Sequence, residues 1–293
     1  MTIAVLHLSP EGAVIGADST SSVLNANGMH FFDFNQKVFE IGENSTFGLL
    51  TWGLGGLGST SYRTIIANLA DDLDTNPPVS VSDVAQRWID RFWTAYSSFD
   101  PVKRVNQLNN KLPHNSGGSD QHEAARTRDE ETEYDGLKRG LLVGFCITGY
   151  ALPDRKIEAA FMSFDPLLAK PQLEVRGHEG SQWWGVPNII DRLVYGADIN
   201  LINAIARCGK WQGTPEEVFE IVAAQTLSPG SLPIRDAIDY VYSSIHCTIK
   251  AMKFSNMPQV CGGPIEIAVI TSDRNFRWVR HKPWDAAITD GGL

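Results

Sequence analysis

The sequence has no apolar run approaching the ~20 residues that a membrane-crossing helix needs, so no membrane partner is expected. It has no cluster of Lys and Arg, and its formal net charge is −9. A nucleic-acid surface requires a basic face or stripe, so nucleic acid is not an expected partner. The opening Met1-Thr2-Ile3-Ala4-Val5-Leu6-His7-Leu8 lacks the basic start and apolar stretch of a secretory signal. Cysteine is scarce: Cys146, Cys208, Cys247 and Cys261 form no CxxC pair and no Cys/His cluster with zinc spacing. The expectation is reduced thiols in a cytoplasmic protein, with no metal and no cofactor. Asn44-Ser45-Thr46 matches a glycosylation acceptor, but without a secretory signal it reads as a turn. No internal repeat is visible.

What is present is a globular composition, 43% hydrophobic and 20% charged over 293 residues. Strand formers at 3–8 and 13–17 flank the turn Ser9-Pro10-Glu11-Gly12, a hairpin signal. Residues 19–36 are polar and read as an excursion. A second hairpin spans Lys37–Ile41 and Thr46–Trp52. Helical spacing of Ile65, Ile66, Leu69 and Leu73 predicts a helix over 59–72. A second runs from Asp83 to Tyr96 with Ser82 as its cap. Residues 99–139 are polar and charged, with Asn115-Ser116-Gly117-Gly118 near the middle, and read as a mobile insertion with a short helix near its end. Strands resume at Leu141–Tyr150 and Ile157–Asp165. Helices follow over 187–195, 200–208, 215–227 (capped by Thr214) and Ile234–Lys253, then a strand pair at Ile265–Thr271 and Phe276–His281. Consecutive hairpins imply antiparallel sheets, and the intervening helices must cover their outer faces. The expected fold class is therefore α+β, a four-layer αββα sandwich over a single domain, 1–293.

The chemistry concentrates at the start. An N-terminal nucleophile attacks with its own hydroxyl and uses its own α-amine as base. Such an amine, with a pKa of about 7.7–8.0, is partly neutral near pH 7. Thr2 follows only Met1, and Thr is small enough for an initiator-methionine aminopeptidase to expose it. Thr2 alone proves nothing, because Thr is common in strands. The run Thr2–Ser19, TIAVLHLSPEGAVIGADS, carries more weight. It closely resembles the opening of proteasome β subunits and their bacterial relatives: a nucleophile Thr, a strand, a turn ending in Gly, then a strand ending in (G/A)-A-D-S. The resemblance implies an N-terminal-nucleophile (Ntn) hydrolase. It places Asp18 beside Thr2, where it orients a lysine, and the hairpin geometry agrees. Lys37, in Asn35-Gln36-Lys37-Val38-Phe39, fits that lysine. Its ammonium would disfavour protonation of the Thr2 amine by like-charge repulsion. The oxyanion donor implied by the resemblance is a glycine N–H after the next strand; Gly53 fits, with Gly55 next.

The same turn literally matches G-x-G-x-x-G at Gly53-Leu54-Gly55-Gly56-Leu57-Gly58. A dinucleotide site would require a following parallel strand ending in an acid about 20 residues on. Here Asp71, Asp72 and Asp74 end a helix, and the preceding strands are hairpins. Downstream, Leu141–Asp165 resembles the family's central hairpin, and Cys261-Gly262-Gly263-Pro264 resembles the stretch before its last strands. Two departures stand out. Pro258 and Cys261 occupy the positions of the family's Asp-x-x-Ser. Trp183-Trp184-Gly185-Val186-Pro187 has no serine where one is usual, with Ser181 nearby. Trp183 and Trp184 should point to opposite faces. His7, His30, His178 and His246 read as structural. The expected partners are a peptide or other amide substrate and further copies of the chain in a homo-oligomer. The alternative is a non-catalytic, proteasome-like structural or assembly subunit.

Overall fold

The computed structural model describes residues 2–25, 28–114, 125–176, 179–227, 230–256 and 259–282. Met1, His178, Pro258 and Asn115–Gly118 lie outside them.

The first hairpin sets the architecture. Strands β1 (Ile3–Ser9) and β2 (Gly12–Ala17) pair antiparallel, and every residue of both is buried. A hairpin buried on both faces must lie inside a sandwich. Ala4, Leu6 and Leu8 point to a core between two sheets, while Ile3 and Val5 point to a helix layer. The first sheet has the order β10 (Gly180–Gly185), β1, β2, β11 (Glu266–Thr271), β12 (Arg274–Arg280). The second has the order β5 (Val38–Glu40), β6 (Phe47–Gly53), β7 (Val143–Gly149), β8 (Glu158–Phe164), β9 (Glu174–Arg176). All neighbours in both sheets are antiparallel.

Ile15, Ile270, Leu50, Cys146 and Phe161 interlock between the sheets. Helices α5 (Asn188–Tyr195) and α8 (Ile234–Lys253) cover the first sheet through Ile190, Val241 and Ile245. Helices α1 (Tyr62–Thr75) and α2 (Val81–Ser98) cover the second through Leu69, Trp88 and Phe92. The result is the expected α+β, four-layer αββα sandwich. Helices α6 (Ile199–Arg207) and α7 (Pro215–Ala223) meet in a small cluster of their own, around Ile202 and Val218. Thr214 caps α7 as expected, in a reciprocal box with Glu217. Among the described residues, no helix is long and apolar enough to cross a membrane.

Several elements differ from expectation. The excursion at 19–36 is a two-stranded hairpin of its own, β3 (Ser21–Asn25) with β4 (Gly28–Phe32). Ser80, not Ser82, caps α2, accepting a hydrogen bond from Asp83 N at 3.1 Å. Residues 99–139 carry two helices rather than one short one: α3 (Asp100–Asn109) and α4 (Arg128–Gly140). Val102, Val105 and Leu108 of α3 and Tyr134 of α4 join the core under the second sheet. The two helices are tied by Arg126, whose buried guanidinium donates to the carbonyls of Leu108 and Lys111 and pairs with Glu131 at 2.7 Å. Those few apolar positions sit among charged ones, so composition hid them. Strands β9 and β10 were not expected; β10 is a half-buried edge strand without polar–apolar alternation.

The aromatic core under the second sheet centres on Phe92, whose ring meets Phe145 at 4.6 Å and Phe164 at 4.7 Å. Phe92→Ala is expected to lower folding stability by about 3–5 kcal/mol, read from urea denaturation.

Candidate active site

Asp18 follows the last residue of β2, directly opposite the start of β1. Its backbone N–H donates to Ile3 O at 3.1 Å, and its Oδ1 accepts from Ile3 N at 3.0 Å. The carboxylate therefore clamps the residue next to Thr2. Its Oδ2 accepts from Thr20 N at 3.2 Å and from Gly262 N at 2.9 Å. Lys37, just before β5, donates from Nζ to Asp18 Oδ1 and to Thr20 O, both at 2.6 Å. Thr2 is 3% exposed, Asp18 0% and Lys37 3%.

Taking two charges out of water costs several kcal/mol per ion unless the remaining lone pairs and protons find partners. Here the carboxylate receives one ammonium and three backbone N–H groups. Burial is the main influence on Lys37 and lowers its pKa from the ordinary lysine value, with the Asp18 charge opposing that shift.

Thr2, Lys37 and Gly53 line one cleft together with Ser21, Thr51 and Tyr62. Gly53 ends β6 with φ +90°, and a Cβ there would lie 2.3 Å from Leu142 O. Only glycine fits that position without strain. Leu54 N donates to Leu142 O at 2.9 Å on the β7 side, and Thr51 N donates to Lys37 O at 2.9 Å on the β5 side. Strand N–H groups alternate, so Gly53 N–H faces the β5 side, where the ladder has already ended. That is the side of the cleft. Tyr62, at the start of α1, donates its hydroxyl to Leu54 O at 2.6 Å and so pins the turn. A second cavity shares Asn35, Gln36, Gly55 and Tyr62 with the first and continues past Ser59, Thr60 and Arg63.

Gly185 lets β10 approach Thr2, since a Cβ there, at φ +92°, would fall 1.8 Å from Thr2 O. Trp183 and Trp184 do point to opposite faces. Trp184 stacks on Trp52 at 4.5 Å, and Trp183 Nε1 donates to Asp191 at 2.8 Å.

The departures read in the sequence have physical counterparts. Cys261 is buried, its thiol pushed up to about 12 mainly by that burial, and it donates to Met252 Sδ at 3.1 Å. Ser181 sits against His7 across the β1–β10 ladder, Oγ to Nδ1 2.7 Å, five residues along β1 from Thr2. It is not at the cleft. The glycine-rich turn follows β6, which pairs antiparallel on both sides, so no dinucleotide fold is built there. Among the described residues, no group of three or more His, Cys, Asp and Glu is placed to hold a metal.

Sequence reasoning missed Gly262 as an Asp18 donor, although it lies in the Cys261–Pro264 stretch already singled out. It also missed Thr51 and Trp52 as cleft residues; only tertiary packing brings them there.

No family model matches the chain, and no curated protein matches it. Among solved structures it is similar to that of an Anbu mutant from Hyphomicrobium sp. strain MC1, with a TM-score of 0.51 at 12% identity, covering 99% of this chain and 91% of that one. At that identity the likeness speaks for the fold alone. The fold is the proteasome-like Ntn sandwich.

Removing Asp18 would strand the Lys37 ammonium and three N–H donors in a buried site. Asp18→Ala is expected to cost about 3–5 kcal/mol. Lys37→Met should cost less, because Asp18 keeps its backbone donors. Denaturant titration of both variants checks the order, and a larger loss for Lys37→Met would contradict it.

Proposed function

We propose that this protein is a threonine-type Ntn amidohydrolase or peptidase, with Thr2 as nucleophile after removal of Met1. The observation that carries the reading is the convergence of Thr2, Lys37 and the outward N–H side of Gly53 on one cleft, with Asp18 behind Lys37. In this mechanism the Thr2 amine accepts the hydroxyl proton as Oγ attacks an amide carbonyl. Gly53 N–H stabilises the oxyanion, an effect worth roughly 3–4 kcal/mol for one well-placed donor. The amine returns the proton to the leaving nitrogen, and water then hydrolyses the acyl ester. The Lys37 ammonium favours the neutral amine by repulsion. The substrate is a peptide or other amide, the location cytoplasmic, and the working form a homo-oligomer built from single domains of residues 1–293.

One observation favours a second reading. Cys261 brings a buried thiol bonded to Met252, where the family resemblance reserves a serine hydroxyl. A non-catalytic, proteasome-like assembly subunit would tolerate that loss.

Intact mass with a Thr-directed electrophile separates the two. The catalytic reading expects a mass lacking Met1, one adduct on Thr2, and no adduct in Thr2→Ala. Retained Met1, or unchanged labelling of Thr2→Ala, favours the assembly subunit. Labelling should also rise with pH through a midpoint below the free amine's ~7.7. Lys37→Met removes a neighbouring cation, so its midpoint should move up in pH.

A further inference from the structure

Lys282 lies two residues beyond β12 and is almost fully buried, 9% exposed. Its Nζ donates to Asn35 O at 2.8 Å and to Ser19 Oγ at 3.0 Å, and pairs with Glu266 Oε2 at 3.1 Å. Each partner belongs to a segment that holds the cleft. Ser19 follows Asp18, and its own hydroxyl donates onward to Pro264 O at 2.6 Å. Asn35 stands two residues before Lys37, and its N–H donates to Ser19 O at 2.9 Å. Glu266 opens β11, four residues after Gly262, and is wholly buried. Among the described residues its carboxylate oxygens have no hydrogen-bond donor beyond the Lys282 ion pair, and His281 approaches only to 3.5 Å. Its compensation is therefore the Lys282 charge.

We propose that Lys282 is a positioning residue for the Thr2 site: a second buried ammonium that locks the Asn35–Lys37 segment onto the Asp18–Ser19 turn and so sets where the Lys37 ammonium sits. The idea rests on the proposed function only for its kinetic consequence. Backbone donors from Ile3, Thr20 and Gly262 fix the Asp18 carboxylate. Nothing in that set restrains the chain leading into Lys37. Lys282 does so, by bonding the Asn35 carbonyl while the Asn35 N–H bonds Ser19. The Glu266 charge lies close enough to raise the Lys37 pKa, against the lowering by burial, so its neutralisation by Lys282 also tunes the first ammonium.

The test uses the full chain and two readouts. The first is the nitrogen–proton NMR signal of the Lys37 ammonium, assigned by its loss in Lys37→Met. The second is the rate of Thr2 labelling by the electrophile. Lys282→Met is expected to shift or broaden the Lys37 signal and slow labelling at least 10-fold, with Lys282→Arg recovering most of both. The double variant Glu266→Gln/Lys282→Met removes the uncompensated carboxylate, and serves if the single variant fails to fold. It should remain as impaired as Lys282→Met in the Lys37 signal, because the bond to the Asn35 carbonyl is still missing. An unchanged Lys37 signal in Lys282→Met, or full recovery in the double variant, overturns the proposal; the latter would mean that Lys282 only neutralises Glu266. If Thr2 never labels in the wild type, the proposed function fails, while the Lys37 signal still decides this inference.

Discussion

The buried pair of Asp18 and Lys37 is the constraint around which the rest is arranged. An ion pair in a dry interior is weak evidence of stability in itself, since desolvation offsets attraction. It persists here because the carboxylate accepts from Ile3, Thr20 and Gly262 as well as from Lys37. Those donors come from β1, from the turn after β2 and from the approach to β11. One side chain thus ties the ends of three adjacent strands of one sheet and receives a lysine from the other sheet. A fold that must supply these partners has little freedom in how its sheets are placed.

The sandwich makes that placement possible. Helices α5 and α8 press on one sheet and α1 and α2 on the other, so the inter-sheet core around Leu6, Ile15 and Leu50 is closed on both sides. The cleft opens where the ladder of β5 and β6 ends, leaving Gly53 N–H beyond its last partner. Two glycines permit the approach: Gly53 beside Leu142 O and Gly185 beside Thr2 O. The stack of Trp52 on Trp184 spans the sheets next to the same opening. The cleft thereby lies at an edge whose backbone is held by packing on both faces, the preorganisation that the oxyanion donor of the proposed mechanism would need.

Much of this was legible in residue order. The opening hairpin follows from strand formers and turn residues, whereas Thr2, Asp18, Lys37 and Gly53 were picked out by the resemblance of the opening strands to proteasome β subunits. The long helix α8 was readable to its end residues because its apolar stripe is sustained. What was not legible depends on distant contacts. Val102, Val105 and Leu108 become core only because Arg126 and α4 fold over them. The edge strand β10 shows no alternation, because Trp183 and Trp184 pack on different cores. Lys282 meets Ser19 and Asn35 across most of the chain, and no spacing rule connects such positions. The capping serine was misplaced by two residues, since Ser80 and Ser82 both suit a cap and only the chain path selects one.

The central claim is that the Asp18–Lys37 pair presents Thr2 and Gly53 to a common reacting atom. A crystal structure of the protein after reaction with a Thr-directed aldehyde or boronate tests it most directly. The account expects a chain beginning at Thr2, density continuous from Thr2 Oγ to the adduct, and the adduct oxygen within hydrogen-bond reach of Gly53 N, about 2.7–3.1 Å. A chain retaining Met1, or an adduct whose oxygen turns away from Gly53, would contradict it.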